Sequence, residues 1–239
     1  MKVGIVVPYS WSYWGAVLEH SELQADALQR LGVETRTIIG NDPPGSFTRV
    51  LHPRHGRHGE PPGHVIPVGR SVIVPANGSL PNIVLSPRAV PKVKRVLERE
   101  RFDVVHLHEP MTPVICTAVM ASARCPIVAT FHASGGLGWM HAGLPVWGFL
   151  MDRIDRRIAV SDAARESASR WIGGEFEVIP NGVLIPEHAE AGGREHRVVF
   201  ARRSGVTNAT SRNLIIFEAV LPNPNPASGV LGCLPVAQF

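Results

Sequence analysis

The feature that most constrains this chain is the run Lys2-Val3-Gly4-Ile5-Val6-Val7, closed by Pro8. The run is almost wholly apolar, rich in β-branched residues and too short for a helix, so it reads as a strand buried on both faces. Such a strand has to be covered above and below, which asks for helices on both sides of a sheet. A polar and aromatic turn follows, Tyr9-Ser10-Trp11-Ser12-Tyr13-Trp14-Gly15. In residues 16–31, Val17, Leu23, Ala27, Leu28 and Leu31 are expected to share one helix face, with Gly32 as the stop. This order puts the loop at the carboxyl end of a central strand, where open parallel sheets bind ligands, and turns the first helical N–H groups towards it. A phosphate fits that position.

Strand and helix signals then alternate. Strands are predicted at residues 33–39, 64–68, 71–74, 103–108, 126–131, 157–160 and 176–179, and helices at 86–102, up to about 122, around 146–154, and after the cap Ser161-Asp162. This βαβα rhythm predicts an α/β fold, a doubly wound parallel sheet. One domain is expected over residues 1–196, with residues 197–239 as the start of a second domain and an irregular tail. Residues 40–63, rich in Pro, Gly, His and Arg and without periodicity, read as a long surface loop. The loop contains His52, His55 and His58, with His64 just beyond. No Cys or paired carboxylate accompanies them, so a solvated insertion is expected rather than a metal site. Cys116, Cys125 and Cys233 are odd in number and lack CxxC spacing, which argues against a disulfide framework or a zinc site.

The composition, 44% hydrophobic and 18% charged, excludes a disordered chain. A net charge of +4 and a pI near 9.3 suit an anionic partner. The opening apolar run is too short for a signal-peptide core and no stretch approaches a membrane span, so a cytoplasmic protein is expected. The helix expected at 86–102, capped by Ser86 with Pro87 at its first position, has Ala89, Val93, Val96 and Leu97 as its inner face. Arg88, Lys92, Arg95 and Arg99 follow at helical spacing and form a basic stripe, either a solvated face or a contact for anionic lipid headgroups. Aromatic residues are not interleaved with it, which argues against nucleic acid as a partner.

No GxGxxG follows the first strand, and no P-loop, HExxH or GxSxG occurs, so dinucleotide dehydrogenase, P-loop hydrolase, zincin and serine hydrolase are disfavoured. Polar residues gather instead at predicted strand ends: Tyr9, His108, Glu109, His132 and Ser134. At these residues the sequence resembles a known family. Val7-Pro8-Tyr9-Ser10 with Gly15, Val17 and His20, then the segments DVVHLHEP at 103–110, VATFH at 128–132, RIAVSD at 157–162 and IPNGV at 179–183, look like the N-terminal domain of retaining family 4 glycosyltransferases of GT-B fold. The resemblance spans roughly residues 1–200.

It implies a two-domain enzyme without a cofactor. Such an enzyme transfers a hexosyl group, a mannosyl group from the nucleotide-sugar GDP-mannose, to a lipid acceptor such as phosphatidylinositol, as a peripheral protein on the inner face of the plasma membrane. Carried over by position, His132 would be the catalytic residue beside the donor sugar, and Tyr9 and Asn77 would help form the acceptor pocket. Gly15, Ala16, His20, Ser79, Glu109, Ser134 and Arg203 would complete the substrate-binding set, and the Arg88, Lys92, Arg95 and Arg99 stripe would dock on an anionic membrane surface. A non-catalytic module that binds a membrane surface or polar lipid is the other reading.

Three departures from the family pattern stand out. Ala16 replaces a second glycine in the first loop, and Ala76 and Asn82 stand where a Tyr and an Arg are usual. The match fades near Arg203, beyond which the donor-binding Lys and the acidic E-x7-E motif have no counterpart. A truncated or frameshifted transferase, with a non-native tail from about Arg202, is the expectation.

Overall fold

The computed structural model describes residues 1–52, 59–75, 80–132 and 144–182, and the backbone of two later strands. The chain divides into two compact units, Met1–Gly182 and Val183–Phe239.

In the first unit, strands β1 (Lys2–Ser10), β2 (Glu34–Gly40) and β3 (Val65–Gly69) are followed by two short strands, β4 (Val72–Ile73) and β5 (Asn82–Ile83). Then come β6 (Val104–His108), β7 (Ile127–Phe131), β8 (Arg156–Ala159) and β9 (Glu177–Val178). The main path runs β3-β2-β1-β6-β7-β8-β9, every adjacent pair parallel. The order reverses at β1, which has β2 on one side and β6 on the other. Ile5, Val6 and Val7 are fully buried there.

The two faces are covered by different helices. Val3, Ile5 and Val7 pack with Leu18 and Ala25 of α1 (Ala16–Arg30), while Val6 joins the larger core formed with α3 (Ala89–Glu100) and α4 (Ile115–Ser122). Each large apolar side chain buried in this way contributes about 1.5–3 kcal/mol. The remaining helices are α2 (Ser46–Leu51), α5 (Leu144–Met151) and α6 (Asp162–Ser169); the last is capped as expected, Ser161 Oγ accepting from the Ala164 N–H. The doubly wound parallel sheet read from the sequence is the fold.

Several local expectations need correction. Pro8 does not stop β1. The strand shifts register between Val6 and Ser10 and continues; Tyr9 pairs antiparallel with Ile83, and the Pro8 carbonyl accepts from the Val84 N–H. Proline fits such an irregularity because no ladder hydrogen bond needs its missing N–H. The buried face of α1 is Leu18, Ser21 and Ala25, whereas Ala27 and Leu31 are exposed. Small residues at 21 and 25 let the helix lie close to the sheet, and Gly32 does end it, at a φ of +76°.

Helix α3 begins at Ala89 rather than at Ser86. The Ser86 and Pro87 carbonyls accept from the Ala89 and Val90 N–H groups in a tighter turn, and no side chain caps the helix. The 40–63 segment is not featureless, since it contains α2 and buries Asp42, Thr48 and His52. Asp42 accepts from the Ser10 and Ser71 hydroxyls at 2.7 and 2.6 Å, and His52 Nε2 lies 3.1 Å from the Ser71 carbonyl. His52 is thus an anchor, while His55 and His58 lie outside the described residues. Gly40 is required where this segment leaves β2, because a Cβ there would stand 2.5 Å from Val84 Cγ2 and 2.9 Å from the Tyr9 carbonyl oxygen.

In the second unit, β10 (Arg197–Arg203) pairs antiparallel with β11 (Leu214–Val220), Arg203 opposite Leu214. The second of these strands falls within the stretch expected to be irregular.

The amino-terminal edge of the main sheet is held by charge. Lys2 Nζ lies 2.7 Å from Glu100 Oε2, which Arg36 also approaches, and the Lys2 backbone N–H donates to Asp103. The hydrogen bond from Lys2 holds the Glu100 carboxyl below its ordinary value of 4.5. Its contribution to stability is therefore complete above that value and lost as pH falls through the lower folded value. Urea unfolding followed from about pH 5 downward should show a steep acid limb that is flatter in Glu100→Gln; identical limbs would mean that the pair does not couple to folding.

Candidate active site

The polar residues singled out at strand ends come together at the carboxyl edge of the sheet, beside the reversal at β1. His108 ends β6, His132 follows β7, and His20 lies one turn into α1. The His20 ring centroid is 5.6 Å from that of His108 and 5.3 Å from that of His132, both edge-on. His106, two residues before His108 on β6, is stacked on it at 4.8 Å with an interplanar angle of 6°. Residues two apart on a strand share a face, so this pairing follows from the pleat.

One side chain organises the imidazoles. Gln24 of α1 places Nε2 3.0 Å from His106 Nδ1 and Oε1 3.0 Å from His108 Nε2. An amide NH2 only donates and an amide oxygen only accepts, so His106 Nδ1 must be unprotonated and His108 Nε2 must carry a proton. Burial drives the His106 ring down to about 4, and its Nε2–H is then the donor to Thr130 Oγ1 at 2.7 Å. Burial, with His106, His132 and His20 close by, lowers His108 well below the ordinary imidazole value, leaving Nδ1 as an acceptor. His132 Nε2, 2.9 Å away, donates to it. His132 itself is lowered to about 3, first by burial and then by His20 and His106. A directed chain results: His132 to His108 to Gln24 to His106 to Thr130. Among the described residues its free end is His132 Nδ1, a lone pair on a neutral ring.

Glu109 fixes the backbone at the same place. Its φ of +51° turns the chain sharply at the end of β6; its N–H donates to the Thr130 carbonyl at 2.9 Å, and its Oε1 accepts from the His132 N–H at 2.8 Å. Val114, at φ +70°, is a second backbone outlier just before α4. A β-branched residue there is strained, and such strain gathers at functional sites. Tyr9, at the end of β1, is hydrogen-bonded to the Thr112 side chain; burial, with Glu109 and Cys116 nearby, pushes its hydroxyl pKa upward.

The loop after β1 ends at Gly15, the N-cap of α1, and no side chain caps the helix. Gly15 is extended, with a φ of −167°, and a Cβ there would meet nothing within 4 Å, so no packing among the described residues requires a glycine. The helix dipole favours an anion at this terminus. Ala16 is exposed beside it.

The structure thus brings His20, Glu109 and His132 together around His108, with Tyr9 hydrogen-bonded to Thr112 nearby. Arg203 lies on β10 in the second unit. Asn77, Ser79 and Ser134 lie outside the described residues. Arg88, Lys92, Arg95 and Arg99 are all exposed on α3, where Arg99 also contacts Glu100. Gln24, His106 and Thr130 were not singled out in the sequence. A polar residue on a helix facing two histidines spaced i, i+2 on a strand was the available signal.

Comparison with known proteins decides the family. The model of Glycosyltransferase Family 4 matches residues 20–184. The chain belongs to this family. Its curated relatives include the phosphatidyl-myo-inositol mannosyltransferases of Mycobacterium leprae, 32% identical over 80% of this chain and 48% of that protein, and of Propionibacterium freudenreichii, 34% identical over 79% and 48%. That of Mycobacterium tuberculosis is 34% identical over 80% of this chain and 47% of its own length. The chain thus spans about half the length of the curated relatives it matches. Among solved structures, HepE of Anabaena in complex with UDP-glucose is 20% identical, with a TM-score of 0.46 over 77% of this chain and 44% of that one.

Replacing Gln24 by Leu in this family 4 chain would strand two buried imidazole nitrogens, each at about 1–3 kcal/mol. Chemical denaturation should show a loss of about 2–6 kcal/mol on that basis, and a loss below about 0.5 kcal/mol, the range of ordinary surface changes, would show that the amide does not hold the chain together.

Proposed function

We propose that the chain carries the acceptor-side half of a retaining glycosyltransferase. The reaction is transfer of a mannosyl group from a nucleotide-sugar, GDP-mannose, to a lipid acceptor such as phosphatidylinositol, at an anionic membrane surface on the cytoplasmic side of the plasma membrane. The observation that carries this reading is the convergence of His20, Glu109 and His132 at the sheet's reversal, in a chain whose relatives bear the name phosphatidyl-myo-inositol mannosyltransferase.

The chemistry is consistent with the geometry. Glycosyl transfer develops positive charge on the sugar ring and negative charge on the departing diphosphate, so fixed dipoles supply most of the catalysis. A neutral His132 does not oppose the growing cation, as an imidazolium would, and its Nδ1 can accept from a sugar hydroxyl. The N-terminus of α1 at Gly15, capped by no side chain, suits a phosphate oxygen. Tyr9 presents a neutral hydroxyl for the acceptor, and the α3 stripe supplies the attraction to anionic headgroups. The 239 residues alone are expected to bind the acceptor surface and to turn over slowly.

Two measurements test the proposal. The first is co-sedimentation with vesicles of phosphatidylcholine, with and without phosphatidylinositol. The protein should partition to the anionic vesicles, and changing Arg88, Lys92, Arg95 and Arg99 together to Gln should weaken this about a hundredfold or more, since each basic residue near the surface is worth about 1 kcal/mol; unchanged partition would remove the stripe from membrane docking. The second is transfer of labelled mannose from GDP-mannose to those vesicles. Mannolipid formation by the wild type should fall about a hundredfold in His132→Ala, and equal formation by both would take His132 out of the reaction centre.

A further inference from the structure

His20, His108 and His132 each offer a ring nitrogen, and these three atoms all lie within 4.8 Å of one another. We propose that these three histidines form a binding site for a borderline divalent transition-metal ion of the zinc class, with His108 Nδ1 and His132 Nε2 as its closest pair of ligands.

The spacing comes first. At a Zn–N distance of about 2.0–2.1 Å, two nitrogens on one tetrahedral ion stand about 3.3 Å apart, and two cis ligands at a right angle about 2.9 Å apart. His108 Nδ1 and His132 Nε2 are already 2.9 Å apart. His20 is the partner that has to move, and it is the one able to do so: half-buried on the first turns of α1, it has two side-chain torsions with which to swing its ring inwards.

The surroundings are those of a metal ligand. A ligating histidine usually donates its other ring N–H to a carbonyl or carboxylate, which fixes tautomer and orientation. His108 does this already, with Nε2–H directed at Gln24 Oε1 at 3.0 Å. Its Nδ1 therefore carries no proton and faces His132 Nε2; an ion replaces the proton between them, and the two rings turn so that both lone pairs converge on it. The backbone of His132 is held in turn by Glu109. Burial keeps all three rings below the ordinary imidazole value, so their lone pairs are not lost to protons near neutrality.

The donor set selects the ion. Three neutral imidazoles without a carboxylate favour Zn2+, Cu2+ or Ni2+ over Mg2+ or Ca2+, which require oxygen ligands. The proton balance is simple: His132 gives up its Nε2 proton to the metal bond and takes one at Nδ1, and His108 keeps its own, so binding releases no proton from the cluster. A fourth position remains for water. An ion held there uses Nε2 of His132, whereas the transferase reading assigns Nδ1 of the same ring to the donor sugar. The binding itself does not depend on that reading.

Titration of the whole 239-residue chain with Zn2+, followed by calorimetry, tests the site. One ion should bind per chain, and His20→Ala and His132→Ala should each weaken it by more than the roughly 10–100-fold typical of losing an outer partner. The double variant His55→Gln, His58→Gln should bind like the wild type, and Mg2+ should not compete. Because a histidine variant can fail to fold, ring 15N spectra of the wild-type chain form the second measurement: Zn2+ should move the His20, His108 and His132 signals and leave that of His64 in place. The proposal is overturned by affinity unchanged in both single variants, by loss of binding in the loop double variant, by absence of saturable binding, or by ring shifts confined to other histidines.

Discussion

The burial of β1 on both faces is the constraint on which the rest of this structure depends. Ile5, Val6 and Val7 are fully enclosed because β2 lies on one side and β6 on the other, and because α1 covers one face of the sheet and α3 with α4 the other. A central strand entered from two directions is also where the sheet reverses its order, and a crevice opens there between the loops that diverge from its carboxyl end. The same apolar run that stabilises the fold thereby sets the position of the site.

The two edges of the sheet are used differently. At the amino-terminal edge, opposite charges meet in partly exposed pairs, Lys2 with Glu100 and Glu34, where water lowers both the gain and the cost. At the carboxyl edge the polar groups are buried, and every unpaired nitrogen would be expensive. Histidines are accommodated there by leaving them neutral, and in His106, His108 and His132 the ring nitrogens are given defined donor and acceptor roles through Gln24 and Thr130. A set of aligned imidazoles held in this way is costly to assemble for packing alone, and the backbone outliers at Glu109 and Val114 beside it add to that cost. Both point to selection for what the crevice binds.

The sequence was informative where a pattern has one physical meaning. The β-branched run at 2–7, the Gly32 stop, the Ser161 cap and the repeated alternation of strand and helix each specify a local geometry, and the parallel sheet follows from their order. Reading was weaker where tertiary context takes over. Pro8 looked terminal because a central ladder would need its N–H, but the register shift removes that need. The face of α1 was misplaced because Ser21 and Ala25 are buried for closeness to the sheet rather than for hydrophobicity. Gln24 was invisible for a related reason: its partners are more than 80 residues away in the chain, and no local period marks an amide whose role is to set two tautomers.

His108 and His132 were legible as strand-end residues, yet their chemical state was not. Whether an imidazole in a crevice is an acid, a base, a ligand or a spectator depends on which nitrogen carries the proton, and here that is decided by an amide on another element and by burial. With Gln24 oriented as it is, the lone pair of His108 is aimed at His132, and that of His132 is left for whatever enters. A sugar hydroxyl would use the Nδ1 lone pair as it stands, whereas a borderline cation would bind at Nε2 once the ring proton has moved to Nδ1; both demand a neutral ring held in place. An imidazolium could neither hold the cation nor accept from the hydroxyl. The requirement common to both ligands is therefore the neutral ring, which burial secures at His132 and which Gln24 of α1, through its hydrogen bond to His108, helps to orient.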